Sequence, residues 1–274
     1  MGKITDYSEA PRLDEGDVFL KDGKSGTKKI NAVNLSYGLA GSISAINHRN
    51  TYRGKNLGSS VSATQLATIQ AGKFDDIFIG DYWVIGGVNY RVADMDYFFN
   101  CGDTNFAKHH LVIVPDSNFG NVVMNDTDTT DGGYTGSKMY TEGLNTVKEK
   151  IIAAFGDMVL THRDYFTNAV TNGKPSAGAW FDSAVDLMNE IMVYGCHIFA
   201  PANGGSTIPN NYTVGNSQLS LFRLNPGMIK RRYSYWLRDV VSASQFVNVH
   251  SNGRAYFNSA SGTYIGVRPA FVIG

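Results

Sequence analysis

Residues 235–273 read YWLRDVVSASQFVNVHSNGRAYFNSASGTYIGVRPAFVI. This stretch is rich in aromatic and β-branched residues and is interrupted by glycine, serine and asparagine, a composition typical of short strands joined by tight turns. It predicts four strands, which are Tyr235–Arg238, Gln245–Val249, Arg254–Phe257 and Gly266–Ile273. The Asn252-Gly253 pair predicts a type I′ hairpin turn between the second and third strands. We therefore expect the carboxy-terminal part of the chain to be built of short strands.

Upstream of this stretch, three segments have the apolar spacing of helices. They are Ser62–Ala71, Ser137–Phe155 with a break expected near Gly143, and Ser183–Tyr194, and a glycine follows each of them as a stop signal. Two strands, Asp81–Ile85 and Val88–Val92, flank a Gly86-Gly87 turn, and His110–Val114 is predicted to be a buried strand. Helices followed by a run of short strands predict an α+β fold.

The first 40 residues predict a small separate element. Asp17–Leu20 and Lys28–Ile30 are short strand patterns joined by a glycine-containing loop. A hairpin of this size is only marginally stable in water, so it is expected to dock on another part of the chain or on another protein. We assign residues 1–40 to this amino-terminal element and residues 41–274 to the main domain, with a linker-like composition at Gly38–Asn56.

The composition excludes several classes of function. Lys and Arg together number 24, as do Asp and Glu, so the net charge is zero and the basic excess expected of a nucleic-acid-binding protein is absent. The longest apolar stretches, Leu111–Pro115 and Ile151–Phe155, are far shorter than the roughly 20 residues that span a bilayer, so membrane insertion is not expected. The amino terminus lacks the apolar region of a secretion signal, which predicts synthesis in a cytoplasm. Charged residues are 18% of the chain, below the typical ~25%, and this suits packing against neighbours in an assembly.

Some residues are expected to serve the fold. Trp83 and Trp236 carry large aromatic surfaces that are expected to be buried in the core. Arg268 precedes Pro269, and its planar guanidinium is expected to tie loop carbonyls or a carboxylate together.

Six motifs occur in the order Met124-Asn125-Asp126-Thr127, Gly132-Gly133-Tyr134, Ser137-Lys138-Met139, Tyr235-Trp236-Leu237-Arg238, Val247–Gly253 and Gly266-Val267-Arg268-Pro269-Ala270-Phe271. In this order they resemble a bacterial and phage family of domains related to the formylglycine-generating-enzyme and sulfatase-modifying branch of the C-type-lectin fold. The resemblance extends from Asp81 to Gly274. It implies that the main domain has an α+β, C-type-lectin-like fold.

The amino-terminal element carries a second resemblance. Ile4–Tyr7, Gly16–Leu20, Asp22-Gly23 and Gly26–Ile30 are similar to the opening of many phage virion proteins, including head fibre and head decoration proteins. A front element joined to a lectin-like domain also resembles the variable proteins that phage retroelements diversify. Together the resemblances imply a virion protein that is made in the host bacterial cytoplasm, attaches to other virion proteins through residues 1–40, and assembles as a homo-oligomer.

Known catalytic motifs are absent from the sequence. There is no G-x-S-x-G elbow, H-E-x-x-H helix, P-loop or G-x-G-x-x-G loop. The oxidising branch of the resembled family uses a cysteine pair in its carboxy-terminal region, whereas this chain has no cysteine after Cys196. We therefore expect neither an enzyme nor a cofactor. Glu190 and His197 are close enough in the chain to share a face, but two ligands do not make a metal site.

One acidic turn combines oxygen ligands with a glycine. Asp126, Asp128 and Asp131 precede Gly132, and a calcium loop needs such a cluster. The spacing is not that of an EF-hand and the closing Glu is missing, so we prefer a solvated acidic turn and keep a calcium site as the alternative.

The carboxy-terminal hairpin provides the candidate binding site. Its polar and aromatic side chains are of the kinds that antibody binding loops use, and they are Gln245, Asn248, His250, Asn252, Arg254, Tyr256, Asn258 and Tyr264. A solvated hairpin without a ligand is the alternative interpretation of the same residues.

Three functions follow as hypotheses. The first is a virion-associated structural protein, a head fibre or similar appendage, that displays the lectin-like domain to a host-surface glycan or protein. The second is a capsid decoration, baseplate or tail component that has no external ligand. The third, an enzyme of the formylglycine-generating type, is disfavoured by the positions of the cysteines.

Overall fold

A computed structural model describes residues 18–21, 28–31, 48–200 and 217–274. The chain divides into two units, Met1–Ser44 and Ala45–Gly274. The second unit contains helices together with parallel and antiparallel strand pairs, so the predicted α+β class is confirmed. Among the described residues, no helix is both long enough and apolar enough to cross a membrane.

The described part of the first unit is a pair of strands, β1 (Val18–Lys21) and β2 (Lys28–Asn31). They pair antiparallel, with Val18 opposite Asn31 and Lys21 opposite Lys28, so the predicted amino-terminal hairpin is confirmed. The rest of the predicted attachment segment lies outside the described residues, as does most of the linker-like segment that follows it.

The main sheet of the second unit has six strands. They are β3 (Asn56–Gly58), β4 (Tyr82–Ile85), β5 (Val88–Met95), β6 (Leu111–Pro115), β9 (Val185–Leu187) and β13 (Pro269–Ile273). Their spatial order is β3-β4-β5-β6-β13-β9. β3 and β4 are parallel, and the other neighbours are antiparallel. The last strand of the chain therefore lies inside the sheet, between β6 and β9.

The turn between β4 and β5 is the one that the sequence predicted. Gly86 and Gly87 have φ values of 56° and 78°, and a type I′ turn requires such left-handed values at both central positions. The buried strand predicted at His110–Val114 is β6, shifted by one residue. Both predictions are confirmed.

The helices with described bounds are α1 (Ala63–Gln70), α2 (Asn145–Phe155), α3 (Glu190–Tyr194) and α4 (Ser220–Leu224). A capping box starts α1, because the Ser62 side chain accepts the N–H of Gln65 and the Gln65 side chain accepts the N–H of Ser62. A single wide turn of π-helix, Met139–Gly143, precedes α2, so the expected break near Gly143 is present. The predictions of α1 and α2 are confirmed.

The helix predicted over Ser183–Tyr194 is wrong in its first half. Ser183 ends a strand, and β9 follows it, so α3 begins only at Glu190. Val185 pairs with Phe271 of β13. The next residue, Asp186, points to the opposite face of the sheet. The apolar residues that suggested a helix are therefore buried by strand pairing, a tertiary contact that local spacing does not reveal.

A long hairpin after α2 was not predicted. Its strands are β7 (His162–Thr171) and β8 (Lys174–Ser183). The turn is Asn172-Gly173, with φ values of 52° and 72°, which again gives a type I′ geometry. The Asn-Gly pair is itself a strong hairpin signal, so the sequence contained the information needed to find this element.

The second sheet consists of β10 (Tyr235–Ser242), β11 (Gln245–Val249) and β12 (Ala255–Ser259), antiparallel and in that order. The three corresponding strand predictions are confirmed. The fourth predicted strand, Gly266–Ile273, is β13, which begins three residues later, at Pro269.

The type I′ turn predicted at Asn252-Gly253 is wrong. Gly253 has a φ of 91°, but Asn252 is not left-handed. The N–H of Gly253 donates to the carbonyl oxygen of His250 at 2.7 Å, and the N–H of His250 donates to that of Arg254 at 2.9 Å. These bonds define a longer turn that needs a left-handed conformation at one glycine only. The hydroxyl of Tyr194 donates to the carbonyl oxygen of Gly253 at 3.1 Å and holds this turn from outside the hairpin.

The predicted core residues are in the core. Trp83 and Trp236 are fully buried. Arg268 is also fully buried, and its guanidinium donates to the carbonyl oxygens of Pro115 at 2.8 Å and Met228 at 3.1 Å. The predicted role of Arg268 in tying loop carbonyls together is therefore confirmed.

Candidate binding surface

The β11–β12 hairpin and the loop after it place most of the predicted ligand-binding residues at the surface. Asn252, Arg254, Tyr256 and Tyr264 are exposed, whereas Gln245, His250 and Asn258 are half-buried. Because Arg254, Tyr256 and Asn258 alternate along the chain, their side chains leave the same face of the hairpin. We call His250, Asn252, Arg254, Tyr256, Asn258 and Tyr264 the hairpin surface.

Tyr256 lies at the centre of the hairpin surface. The guanidinium carbon of Arg254 is 5.0 Å from the centre of the Tyr256 ring, and the His250 ring is 5.9 Å from it, edge on. The hydroxyl of Tyr264 donates a hydrogen bond to the side-chain oxygen of Asn258. Tyr264 is 63% exposed and Tyr256 is 37% exposed. Two partly exposed aromatic rings thus lie beside polar side chains and are accessible to a ligand.

Asn248 does not belong to this surface, and its predicted place is corrected. Only 1% of the residue is exposed, and it lies opposite Trp236 of β10 and Tyr256 of β12. β11 is the central strand of its sheet, and both sets of alternating residues, Phe246 with Asn248 and Val247 with Val249, are buried. No face of this strand is open to a ligand, so the polar character of Asn248 misled the prediction.

The structure adds two exposed residues that the sequence did not single out, Ile198 and Phe199. They are 49% and 37% exposed. The Phe199 ring meets the Phe257 ring edge on, with 5.0 Å between centres, and Phe257 stacks on Tyr256 at 5.4 Å. The aromatic surface therefore continues beyond the hairpin onto the segment after α3.

A buried carboxylate fixes that segment. The side chain of Glu190 accepts the N–H groups of Ile198, Phe199 and Ala200 at 3.0–3.1 Å, and it is fully buried. The sequence suggested that Glu190 and His197 share a face. In the structure Nδ1 of His197 lies 3.8 Å from the Glu190 carboxylate, whose hydrogen bonds come from the three N–H groups. The sequence gives no signal for these hydrogen bonds, because three consecutive N–H groups carry no side-chain pattern.

Two neighbouring carboxylates, Glu190 and Asp239, have shifted pKa values. Burial opposes ionisation of Glu190, but His197 and the three N–H groups outweigh it and lower the pKa of Glu190. Burial and the nearby charge of Glu190 raise the pKa of Asp239 to about 6. Asp239 accepts the N–H of Glu190 at 2.7 Å, so the two acids are neighbours at the start of α3.

The acidic turn does not gather its carboxylates around one point. Asp126 pairs with the amino group of Lys138 at 2.7 Å, and Asp128 accepts the side-chain O–H of Ser261 at 2.5 Å. Asp131 is exposed. In the part of the chain that the structure describes, no group of three or more His, Cys, Asp or Glu side chains is placed to hold a metal ion. The three carboxylates therefore do not converge on one point, as the ligands of a calcium site do.

A second cluster of ionisable groups lies inside the unit. Asp164 pairs with Arg238 at 3.0 Å, and Asp186 accepts hydrogen bonds from Tyr134 and Ser183 at 2.9 Å and 2.6 Å. Burial raises the pKa of Asp186 to about 6. The cavity that this cluster lines is about 10 Å³, room for one water molecule and far below the ~300 Å³ of a small ligand site.

No model of a known protein family matches the chain, and no curated protein and no solved structure is significantly similar to it.

Proposed function

We propose that the chain is a bacteriophage virion protein, a head fibre or similar appendage, that binds a host-surface glycan or protein through the hairpin surface. The observation that carries the proposal is the exposure of Tyr256 and Tyr264 beside Arg254, His250 and Asn258. Exposed aromatic rings can stack on sugar rings or fill pockets of a protein partner, while amide and cationic groups supply directional hydrogen bonds. The proposed role is binding without catalysis, and it requires no cofactor.

The proposal includes a C-type-lectin-like fold for the main domain. The path of the chain supports it: after β6 come α2, the β7–β8 hairpin, β9, two short helices and the separate three-stranded sheet, and β13 then returns to pair with β6. Such a closed path brings the end of the chain back to the main sheet, and β12, the edge strand of the second sheet, presents the exposed side chain of Tyr256. The motifs at residues 124–139, 235–238 and 266–271 are the other support.

The proposal also assigns the amino-terminal element to virion attachment. β1 and β2 form a two-stranded hairpin. An isolated two-stranded hairpin is at best marginally stable in water, so this one needs a partner to be stable. We propose that other virion proteins bind residues 1–40, and that the protein is made in the host cytoplasm and joins the particle as a homo-oligomer. Nucleic acid and membrane are not proposed as partners.

The binding role is tested by measuring how much fluorescently labelled full-length protein is retained on cells of the host bacterium. We expect Tyr256→Ala and Tyr264→Ala to reduce the affinity roughly tenfold each, since central aromatic residues contribute most to interface energy. Ile152→Ala is the matched control, because Ile152 is an exposed apolar residue of α2, 54% accessible. Equal binding by all three variants and the wild type would refute the binding role of the hairpin surface.

The virion assignment is tested on purified particles. We expect mass spectrometry to detect the chain in them, and tyrosine-directed surface labelling of intact particles to modify Tyr264. If the chain is absent, the virion proposal fails. If it is present but Tyr264 is protected in intact particles, the second hypothesis, a decoration, baseplate or tail component without an external ligand, replaces the first.

A further inference from the structure

We infer that a second pocket, lined by Arg49 and Arg223, binds the oxyanion of a small polyhydroxylated ligand, a carboxylate or phosphate carried on a sugar. The pocket has a volume of about 430 Å³, within the ~300–1,000 Å³ of small-molecule sites. Its polar lining is Arg49, Asn50, Asp96 and Arg223, and its apolar lining includes Phe74 and Met95. We call it the arginine pocket, and it shares no residue with the hairpin surface.

Arg49 is anchored on one edge and open on the other. Its Nε donates to the carboxylate of Asp94 at 2.5 Å, and Asp94 is fully buried while 42% of the Arg49 side chain is exposed. The N–H groups of Met95 and Ser220 also donate to Asp94, at 2.8 Å and 2.9 Å. Among the described residues, neither terminal nitrogen of Arg49 has a hydrogen-bond partner. These nitrogens form the edge of the guanidinium that grips a carboxylate or a phosphate.

Arg223 is held by the same network. Its Nη2 donates to the side-chain oxygens of Asn50 at 3.0 Å and Ser220 at 3.3 Å. Ser220 therefore links the two arginines, since its N–H bonds Asp94 beneath Arg49 and its hydroxyl bonds Arg223. Two guanidinium groups fixed in advance lose little side-chain entropy when an anion binds.

The charges around the pocket favour a ligand that is more than a bare anion. Asp96 also lines it, and the carboxylate of Asp96 is engaged by the N–H of His110 at 2.9 Å and by Nδ1 of His109 at 2.8 Å. Two carboxylates, Asp94 and Asp96, offset the two arginines, so a free anion gains little net attraction. A carboxylate oxygen retains lone pairs for hydroxyl groups, and Asp96 can therefore bind a sugar hydroxyl while the arginines bind the oxyanion.

The test is a saturation-transfer NMR titration of the full-length protein with glucuronate, glucose 6-phosphate, glucose and inorganic phosphate. We expect at least one acidic sugar to bind with a Kd on the order of 1 mM, and glucose to bind far more weakly. Whether glucuronate or glucose 6-phosphate binds more tightly identifies the oxyanion as carboxylate or phosphate.

Two variants and one control locate the binding. Arg223→Gln removes an exposed guanidinium and leaves Asp94 paired, and Arg49→Lys keeps a cation beside Asp94 but removes the forked edge. We expect each to weaken acidic-sugar binding roughly tenfold or more. Arg232→Gln, at an exposed arginine outside the pocket, should leave the affinity unchanged.

Three results would overturn the inference. The first is that neither acidic sugar binds at about 20 mM, where a site of the expected affinity would be nearly saturated. The second is equal affinity of Arg223→Gln and the wild type for the acidic sugar, and the third is inorganic phosphate binding as tightly as the best acidic sugar. Because Tyr256→Ala and Tyr264→Ala leave the arginine pocket intact, the sugar titration and the host-cell assay fail independently.

Discussion

Two hairpins of this protein share an Asn-Gly pair at the turn but differ in the length and backbone conformation of the loop. In the β7–β8 hairpin, Thr171 pairs with Lys174, so Asn172 and Gly173 alone form the loop. In the β11–β12 hairpin, the last pair is Val249 with Ala255, and five residues lie between them. The first loop needs two left-handed residues, and the second needs one.

An Asn-Gly pair permits a tight turn but does not impose one. The longer turn is held by neighbours outside the hairpin: Tyr194 bonds the carbonyl oxygen of Gly253, and a Cβ on Gly253 would lie 3.2 Å from Cβ of Lys230. The tight turn also has a neighbour, since a Cβ on Gly173 would lie 2.8 Å from the backbone nitrogen of Ala243. Both turns therefore pack against residues distant in the chain, and the local Asn-Gly signal does not encode these contacts.

Breaking the open end of the β7–β8 hairpin, where Asp164 lies, should have the largest effect. Asp164 of β7 and Arg238 are almost completely buried, so Asp164→Ala leaves a buried guanidinium without this carboxylate. We expect a loss of roughly 3–5 kcal/mol in the free energy of unfolding, measured by urea denaturation. Asp182→Ala is the matched control in β8, where the Asp182 side chain is 74% exposed beside Arg163 and should contribute little. Equal losses for both variants would contradict this account.

The buried histidine at the same end of the hairpin gives a pH-dependent prediction. Burial lowers the pKa of His162 to about 3 from 6.5, and neither ring nitrogen has a hydrogen-bond partner among the described residues. Because the unfolded chain binds a proton near pH 6.5 and the folded chain does not, this residue costs stability as the pH falls below about 6.5. At pH 5 the cost is about 2 kcal/mol, and near pH 7.5 it vanishes.

His162→Phe should remove this cost, since the ring already packs on Phe98 with 3.8 Å between centres. We expect the variant to gain stability over the wild type at pH 5 relative to pH 7.5, in urea denaturation at both values. The same difference at both pH values would show that burial does not lower the pKa of His162 in the folded protein. Taking the difference between proteins at each pH removes the opposite contribution of Asp186, whose pKa is raised to about 6 and which gains stability as the pH falls through that value.

The smallest expected change in the free energy of unfolding comes from replacing the asparagine of each turn by alanine. Asn172 is left-handed, with a φ of 52°, a conformation that alanine adopts only at a cost. We expect Asn172→Ala to lower the free energy of unfolding by about 1 kcal/mol. Asn252→Ala loses only the hydrogen bond from the N–H of Arg254 at 3.1 Å, at an exposed site, and should change stability less. The reverse order in thermal unfolding would mean that the Asn-Gly pair, and not its tertiary setting, controls the longer turn.

The sequence predicted the kinds of side chain on the candidate surface, but it identified only some of the residues that form it. Tyr256 is exposed as predicted because β12 lies at the edge of its sheet, and Arg254 and Tyr264 are exposed as predicted in the segments before and after that strand. Asn248 could not be placed correctly, since a polar residue on a strand covered on both sides has the same local pattern as one on a half-exposed strand. Phe199 could not be found either, because its place beside Phe257 depends on a carboxylate nine residues earlier in the chain.

The amino-acid sequence by itself determined the elements whose signals are local. Helix α1, the Gly86-Gly87 turn and strand β11 each depend on signals from residues a few positions apart, and they form as predicted. The tertiary structure alone decided the pairing of β9 with β13, the burial of Asn248, and the meeting of Arg49 with Arg223 through Ser220. Such contacts join residues far apart in the chain, and their strength depends on burial and exclusion of water, which arise only when the whole unit has folded.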